Sequence, residues 1–392
     1  MFYTRKIYSQ LLSHAQTDFV TVLTGMRRTG KTTLIQQLLI DLPNKNSLYL
    51  DLQRPDNREL FEQKNYDAIR EAFVARGKKA NLPMIVALDE IQLAPDSPSA
   101  IKYLSDHYKI KFVVTGSSSY YLKNLFSESL SGRKKLFELY PLDFGEFLTF
   151  KEIPHAQVDW KSGQFNSLEY NRLSAYYEEY VHFGGFPQVV LSQSEAEKRD
   201  VLSDIMSSYV NIDIRSLADF SDERNLYALA KLLAGRVGSR VEYSNLSRLI
   251  GLSRPTVTNY VQFFEKTYLI KTIGVYTKSI DRAIVKSRKL YFCDTGLANT
   301  LAELSSGAQF ENTLFNQLAR GGQVQYYALK SGQEIDFIVD DDLAVEAKET
   351  PTEFDLSNLE RIVATTKVSN IRLVGRHQSP KFTNYAWAGS IL

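Results

Sequence analysis

Eight residues near the amino terminus have the types and the spacing of a loop that binds phosphate groups. The segment 25–32 (GMRRTGKT) fits the pattern G-x-x-x-x-G-K-[ST] and stands between a predicted strand, 20–24, and a predicted helix, 32–41. Glycines let the backbone approach phosphates, and the free amides at a helix amino terminus attract them. We expect Lys31 to reach the β- and γ-phosphates of ATP and Thr32 to bind Mg²⁺. The predicted nucleotide contacts are Gly25, Arg28, Thr29, Gly30, Lys31, Thr32 and Thr33.

The acidic half of such a site is predicted where two other strands end. The apolar run 84–88 is followed directly by Asp89 and Glu90. We expect Asp89 to hold Mg²⁺ through water and Glu90 to polarise the water that attacks the γ-phosphate. The alternative for Glu90 is an ordinary solvated loop acid. At the end of the next strand, Thr115 or Ser117 is expected to sense the γ-phosphate or to orient the water, although hydroxyls are also common in turns.

Arg133 is the best candidate for an arginine that neutralises charge on the transferred phosphate. Such an arginine is supplied either by the same chain or by a neighbouring subunit. Arg27 and Arg28, inside the loop, are weaker candidates for this role. The alternative for Arg133 is a surface position in the basic stretch 133–135.

Several motifs follow one another along the chain in a fixed order. They are 25–32 (GMRRTGKT), 88–91 (LDEI), 115–118 (TGSS), 131–133 (SGR), 140–147 (YPLDFGEF), 183–187 (FGGFP) and 289–297 (KLYFCDTGL). Taken together, they resemble those of the prokaryotic AAA+-type P-loop ATP-binding proteins that carry a C-terminal domain of unassigned function. The resemblance covers essentially the whole chain and implies ATP binding and hydrolysis, but it names no substrate.

The middle of the chain is strongly basic. Residues 223–290 contain 13 lysines and arginines against four acids, a local charge of +9 that leaves −7 for the rest of the chain. Within this segment, 243–250 and 254–264 are predicted helices joined by a three-residue turn, which is the pattern of a helix–turn–helix. Ser253 and Pro255 suit the start of the second helix. Four apolar residues are expected to form its core, namely Leu246, Leu249, Val257 and Val261.

A wing hairpin and a surface for duplex DNA are predicted beside these helices. The segments 269–275 and 286–292 have the length and composition of two paired strands. Exposed polar side chains on the second helix are of the types that contact bases or phosphates. The alternative is a winged helix that serves only for packing or for contact with a protein partner. The predicted DNA contacts are Arg254, Thr256, Thr258 and Asn259.

The last 85 or so residues follow the order helix, three strands, helix, strand, and they carry acids at suggestive places. Glu346 and Lys348 are two apart on one strand and therefore share a face. With Asp336 on the neighbouring strand and Glu311 on the helix, Glu346 is expected to bind Mg²⁺. These four residues resemble the PD-(D/E)xK nuclease arrangement, with Lys348 activating the attacking water. The alternative is an exposed strand on which Glu and Lys simply alternate.

The elements that position these groups define the fold class. Strands alternate with helices over the first 145 residues, which predicts an α/β three-layer core with a parallel sheet. With 392 residues, 44% of them hydrophobic, the chain is expected to form several domains. We predict an AAA+-like P-loop core at 1–145, a helical lid at 146–222, a winged helix–turn–helix at 223–305 and a small α/β nuclease-like domain at 306–392.

These expectations combine into one leading hypothesis and one competitor. No apolar run approaches the length of a membrane span, and the single Cys293 suits a reducing compartment, so a cytoplasmic protein is predicted. The leading hypothesis is an ATPase with ATP and Mg²⁺ as cofactors, which couples hydrolysis to DNA processing, genome defence included. The competitor is a non-nucleolytic, ATP-dependent switch whose C-terminal domains dock a protein partner. Self-association is left open.

Overall fold

The structure is a computed structural model that describes residues 2–117, 132–162, 164–214, 223–329 and 331–392, with side chains in these ranges except at 212–214 and 223. Ser118 and Ser131, which belong to two of the quoted motifs, lie outside the described residues. The chain forms two compact units, Met1–Tyr140 with Lys266–Tyr268, and Pro141–Glu265 with Leu269–Leu392. The finer division at 145, 222 and 305 stays a prediction.

The first unit is built on a five-stranded parallel sheet, which confirms the α/β fold class. The strand order is β2-β3-β4-β1-β5, and every neighbouring pair is parallel. Its strands are β1 (Val20–Thr24), β2 (Ser47–Asp51), β3 (Ile85–Asp89), β4 (Lys111–Gly116) and β5 (Lys134–Glu138). Its helices are Tyr8–Ala15, Lys31–Asp41, Pro55–Arg58, Tyr66–Ala75 and Ser97–Tyr108, with 3₁₀ turns at Glu59–Phe61 and Ile91–Leu93.

Alternate residues of the strands pack into two apolar cores, one on each face of the sheet. Val22 and Val114 belong to one core, whereas Leu23 and Val113 belong to the other. This alternation follows from the period of two in a strand, and burial on both faces explains the continuous apolar runs. Because β1, β3 and β4 are neighbours and parallel, the loops after their carboxyl ends meet at one edge of the sheet.

The second unit begins with helices. Two of them start with a capping box, in which Asp143 pairs with Glu146 and Ser194 pairs with Glu197. Such reciprocal hydrogen bonds satisfy amides that have no partner in the first helical turn. The helices of this part are Phe144–Phe150, Ser167–Phe183, Pro187–Leu191, Glu195–Ser208 and Glu223–Ala234, with a π-helical turn at Tyr209–Ile214.

Next come two helices and a hairpin that overlap the predicted segments. The helices are Tyr243–Ile250 and Arg254–Lys266, and the antiparallel pair is β6 (Ile270–Ile273) with β7 (Lys289–Phe292). A short helix, Ile280–Val285, lies between the two strands in sequence.

The prediction of four core residues in the helix–turn–helix is wrong at one position. Leu246, Val257 and Val261 are buried, whereas Leu249 is 53% exposed. The first helix has only eight residues. Its inner face follows Leu246 and the half-buried Ile250, four residues apart, and this leaves Leu249 outside.

The carboxyl-terminal part is a mixed five-stranded sheet with three helices. The strand order is β12-β11-β10-β9-β8, antiparallel from β8 to β10 and parallel from β10 to β12. The strands are β8 (Val324–Ala328), β9 (Glu334–Val339), β10 (Leu343–Lys348), β11 (Asn370–Gly375) and β12 (Ala386–Trp387). The helices, in chain order, are Thr295–Leu301, Ser306–Gly321 and Glu353–Val363. Within the described residues, none of the helices has the length and apolar character needed to span a bilayer.

Candidate functional site

The loop between β1 and the helix Lys31–Asp41 has the close backbone approach that its glycines predict. A Cβ atom on Gly25 would lie 2.0 Å from the carbonyl oxygen of Leu139, so no larger residue fits. The Nζ atom of Lys31 donates hydrogen bonds to the carbonyl oxygens of Gly25, at 2.7 Å, and Met26, at 2.9 Å. Its charge therefore lies over the loop. Arg28 and Thr33 are exposed beside it.

A buried arginine from the amino terminus supports the loop. Arg5 donates to the carbonyl oxygens of Thr29, at 2.9 Å, and Tyr140, at 2.8 Å. The Thr29 hydroxyl donates in turn to the carbonyl oxygen of Met26, at 2.8 Å. Arg5 lies outside every motif, so sequence reasoning missed it, and only the tertiary structure brings it to the loop.

Three hydroxyl groups converge on the carboxylate of Asp89. Thr32 donates to Oδ2 of Asp89 at 2.7 Å, Tyr49 donates to the same atom at 2.8 Å, and Thr115 donates to Oδ1. The predicted magnesium pair, Thr32 and Asp89, is thus brought together. A carboxylate and a hydroxyl oxygen are ligands that Mg²⁺ prefers, so these residues fit the ion. Burial and the hydrogen bond to Asp89 raise the pKa of Tyr49, which keeps its phenol protonated as the donor.

Glu90 follows Asp89 and is held from several sides. Its amide donates to Oγ1 of Thr115 at 3.1 Å, and its φ of 58° is in the left-handed region. The Gln92 amide donates to Oε2 of Glu90 at 2.5 Å and to Oγ of Ser117 at 3.2 Å. Arg27 forms an ion pair with Oε1 at 3.8 Å. Glu90 is only 6% exposed, so it is not the solvated loop acid of the alternative.

Gln92 is a residue that the motifs did not single out. Its side chain is 7% exposed, and its Oε1 atom is buried with no hydrogen-bond partner among the described residues. A buried acceptor without a hydrogen bond lowers the stability of the fold unless an exchangeable donor, such as a water molecule, bonds to it. The only sequence signal for it is its position two residues after Glu90.

Of the two possibilities left open for Arg133, action within the same chain or from a neighbouring subunit, the position of the residue does not favour the first. Its carbonyl oxygen accepts from the amide of Val20 at the start of β1, whereas the phosphate loop follows the end of β1. At about 3.3 Å per residue, the strand separates the two positions by roughly 13 Å. Its guanidinium forms an ion pair with Asp106 and is 53% exposed. The role in trans stays a prediction.

The predicted DNA-contacting residues differ in what their side chains do. Arg254 and Asn259 are exposed. Thr256 and Thr258 are half-buried and bond locally: Oγ1 of Thr256 lies 2.7 Å from Oγ of Ser253, and Thr258 donates to the carbonyl oxygen of Arg254 at 2.9 Å. Arg254 and Asn259 therefore remain the better candidates of the four.

The four residues of the predicted nuclease arrangement lie together. The amide of Ala347 donates to Oδ2 of Asp336 at 3.0 Å, and the amide of Asp336 donates to Oε2 of Glu346 at 3.4 Å. Lys348 forms an ion pair with Glu346 at 2.8 Å. Glu311 joins this group through Lys289, which lies 3.8 Å from Glu311 and 3.9 Å from Asp336.

Lys289 is the member of this group that sequence reasoning missed. Its side chain is 6% exposed, and its closest carboxylate is that of Glu334, at 3.1 Å. Burial alone lowers the pKa of Lys289, but Glu311, Asp336 and Glu334 together raise it above the ordinary value, so the ammonium stays charged. Burial raises the pKa of Glu311 and of Glu346, and the neighbouring charge of Asp336 raises it further.

This acidic group does not fit the predicted Mg²⁺. No three His, Cys, Asp or Glu side chains in the described part of the chain are placed so that they could hold a metal ion. An ammonium group stands between Glu311 and Asp336 instead. We therefore derive no catalytic step through a metal at this place.

Two of the family-like motifs meet around Asp294, which is buried in the second unit. Its carboxylate accepts from the amides of Gly185, at 2.8 Å, and Leu297, at 3.1 Å. A Cβ atom on Gly184 would lie 2.2 Å from Oδ1 of Asp294. Burial raises the pKa of Asp294 to about 6, against the effect of hydrogen bonds from Gly185, Leu297 and Gly296. The segments 183–187 and 289–297 thus form a structural clasp.

The parallel sheet and the phosphate loop lie within a segment that matches a known family model. Residues 17–148 match the family model described as AAA domain. Residues 174–308 match a second model, described as a domain of unknown function (DUF8612).

Two relatives are similar to this chain over most of its length. An uncharacterized protein of Methanocaldococcus jannaschii is 24% identical over 90% of this chain and 81% of its own length. An uncharacterized protein of Haemophilus influenzae is 29% identical over 84% of this chain and 81% of its own length. Among solved structures, the Aeropyrum pernix ORC1 protein in complex with DNA is 14% identical, covering 77% of this chain and 92% of that chain with a TM-score of 0.33.

Proposed function

We propose that this protein binds Mg²⁺-ATP at the loop 25–30 and hydrolyses it, and that contact with duplex DNA modulates the hydrolysis. The observation that carries the proposal is the convergence of Thr32 and Thr115 on Asp89, while the Lys31 ammonium lies over the adjoining loop. These side chains come from three separate segments, yet they are linked through one carboxylate. In P-loop NTPases, a Ser or Thr of the loop and an Asp at the end of a neighbouring strand hold the Mg²⁺ that phosphoryl transfer uses.

The residues of the site divide the work of hydrolysis among them. Lys31 and the loop amides bind the phosphates and offset their charge. A bound Mg²⁺ would neutralise further charge on the phosphate oxygens, and Thr32 and Asp89 are the residues that would hold it. Glu90 accepts the proton of the attacking water as its oxygen bonds to the γ-phosphorus and the bond to the bridging oxygen breaks, releasing ADP and phosphate.

Gln92 positions Glu90 for this step. Its amide group donates to Oε2 of Glu90 at 2.5 Å, while Oε1 of Glu90 pairs with Arg27. The Oε1 atom of Gln92, which has no hydrogen-bond partner among the described residues, accepts a hydrogen bond from the second O–H group of the attacking water. A base held in this way needs little reorganisation when the substrate binds.

Duplex DNA as the modulating partner is supported by charge and exposure. Residues 223–290 carry a net charge of +9, in a chain whose total is +2. Arg254 and Asn259 are exposed on a helix that follows a three-residue turn after another helix. Lysine and arginine contacts to phosphates make such binding depend steeply on salt.

The DNA proposal is tested by fluorescence anisotropy of a labelled duplex at several salt concentrations. Arg254→Ala is expected to weaken binding and to reduce the salt slope by about 0.9 for each phosphate that the variant no longer neutralises. Arg199→Ala is the matched control. Arg199 is an exposed arginine on the helix Glu195–Ser208, away from the helix of Arg254 in sequence, and it pairs with Glu195 of its own helix. Binding that is equal in the two variants and insensitive to salt would remove DNA from the proposal.

A second candidate is the ATP-dependent switch that docks a protein partner. It is favoured by the helix Ile280–Val285, where Ile280, Ile284 and Val285 are 75–82% exposed. Large apolar side chains grouped on one short helix are typical of a protein contact. In that case turnover of ATP is expected to be the same with and without DNA, whereas the DNA proposal requires it to change.

A further inference from the structure

Lys289 lies where three carboxylates from two different elements meet. The residue begins β7, opposite Ile273 of β6, and its side chain is 6% exposed. Glu311 comes from the helix Ser306–Gly321, and Glu334 and Asp336 come from β9. The Nζ atom lies 3.1 Å from Glu334, 3.8 Å from Glu311 and 3.9 Å from Asp336.

We propose that the ammonium group of Lys289 takes the place of a divalent cation among these acids, so that the nuclease-like arrangement is a metal-free ion-pair cluster that does not cut nucleic acid. The predicted ligands are all present, but Lys289 pairs with Glu311 and Asp336, and Lys348 pairs with Glu346. The proposal concerns the second unit alone and does not depend on ATP hydrolysis.

The charge balance of the cluster supports this assignment. Four carboxylates take part, those of Glu311, Glu334, Asp336 and Glu346. Three cations face them: Lys289, Lys348 on Glu346, and Arg240 on Glu334. Because the negative charge is already nearly offset, a divalent cation gains little by entering.

The geometry of the donors supports it as well. Mg²⁺ requires oxygen ligands at about 2.0–2.1 Å in octahedral arrangement. Here Oε1 of Glu311 also accepts from the Tyr291 hydroxyl at 2.8 Å, and Oδ2 of Asp336 accepts from the amide of Ala347 at 3.0 Å. In the wild-type chain, these oxygens therefore already accept hydrogen bonds from the protein.

Lys289 is also held in place by its surroundings. The next three residues of the strand, Leu290, Tyr291 and Phe292, are at most 1% exposed. The backbone of Lys289 pairs with Arg240 on its other side. The ammonium group lies 5.7 Å from the ring centroid of Tyr326, a further favourable contact for a cation.

The test is Mn²⁺ binding to the nucleotide-free full chain, followed by the electron paramagnetic resonance signal of free Mn²⁺. Wild type is expected to show no binding that Asp336→Asn removes. Lys289→Met keeps the length of the side chain without its charge, and it is expected to gain one Mn²⁺ site that Asp336→Asn abolishes. Lys271→Met is the control, because Lys271 is an exposed lysine on β6 of the same hairpin.

Two results would overturn the proposal. One is a Mn²⁺ site in wild type that Asp336→Asn removes; the other is a folded Lys289→Met variant that gains no site. If Lys289→Met does not fold, thermal unfolding of wild type decides instead. A melting temperature that is equal in Mn²⁺ and in EDTA supports the proposal, and an increase in Mn²⁺ that Asp336→Asn abolishes contradicts it.

Discussion

Glu90 owes its orientation to several neighbours, and one of them, Gln92, lies outside every quoted motif. Gln92 donates to one carboxylate oxygen, Arg27 pairs with the other, and Thr115 accepts from the Glu90 amide. Thr115 also donates to Asp89, so the acid expected to hold Mg²⁺ and the expected base are joined through one hydroxyl. At the residue scale, the site is a short hydrogen-bonded network and not a set of independent groups.

Gln92→Ala is expected to lower kcat for ATP by about tenfold, because one hydrogen bond of about 1–1.5 kcal/mol no longer holds the base. KM for ATP is expected to stay unchanged, since Gln92 has no part in binding the phosphates. Steady-state kinetics separate the two constants. Gln92→Asn, which keeps the amide at a shorter reach, serves as the partial rescue. A rise in KM with kcat preserved would mean that Gln92 acts in binding and not through Glu90.

At the scale of elements, the clasp around Asp294 joins the loop after the helix Ser167–Phe183 to the helix Thr295–Leu301. Gly184→Ala is expected to destabilise the protein by about 2–4 kcal/mol, because its φ of 75° and the 2.2 Å approach to Asp294 exclude a side chain. Urea unfolding measures the change. Gly307→Ala is the control, since nothing lies within 4 Å of the added Cβ, and it should change stability by less than about 1 kcal/mol. Equal losses in the two variants would contradict the clasp.

Asp294 also gives the clasp a pH dependence. Its pKa is raised from 3.8 to about 6 in the folded protein, so its contribution to stability is fully present below pH 3.8 and is lost as pH rises through about 6. The loss amounts to about 3 kcal/mol. The side chain in Asp294→Asn cannot titrate. The unfolding free energy of wild type minus that of this variant should therefore be larger at pH 4 than at pH 7. A difference independent of pH would show that Asp294 keeps an ordinary pKa.

Elements with local signals were predictable, whereas groups that meet through tertiary packing were not. β1 and β2 have the predicted bounds because buried parallel strands read as apolar runs. Arg5 and Lys289 were missed because nothing in their sequence neighbourhood points to the carbonyls and carboxylates that they contact. The end of the sheet at which Arg133 lies depends on the direction of β5, which no motif encodes.

At the scale of the whole molecule, Arg133 makes a prediction about assembly. Its half-exposed guanidinium lies at the opposite end of β1 from the loop of the same chain, so it would contact ATP only in a neighbouring subunit. Lys31→Ala lacks a working loop but retains Arg133, and Arg133→Ala is the converse. A mixture of the two inactive variants is therefore expected to regain turnover. A mixture that associates, as judged by sedimentation, yet stays inactive would remove Arg133 from the mechanism.

The central claim, hydrolysis of ATP at the loop 25–30, is tested most directly by phosphate release from the full chain and three variants. Wild type and Glu71→Gln, which changes an exposed acid of the same unit, are expected to turn over ATP equally. Lys31→Ala is expected to lose turnover and binding together. Glu90→Gln is expected to lose about 10²–10⁴-fold in kcat while it still binds ATP. Undiminished phosphate release in Lys31→Ala or in Glu90→Gln would contradict the account.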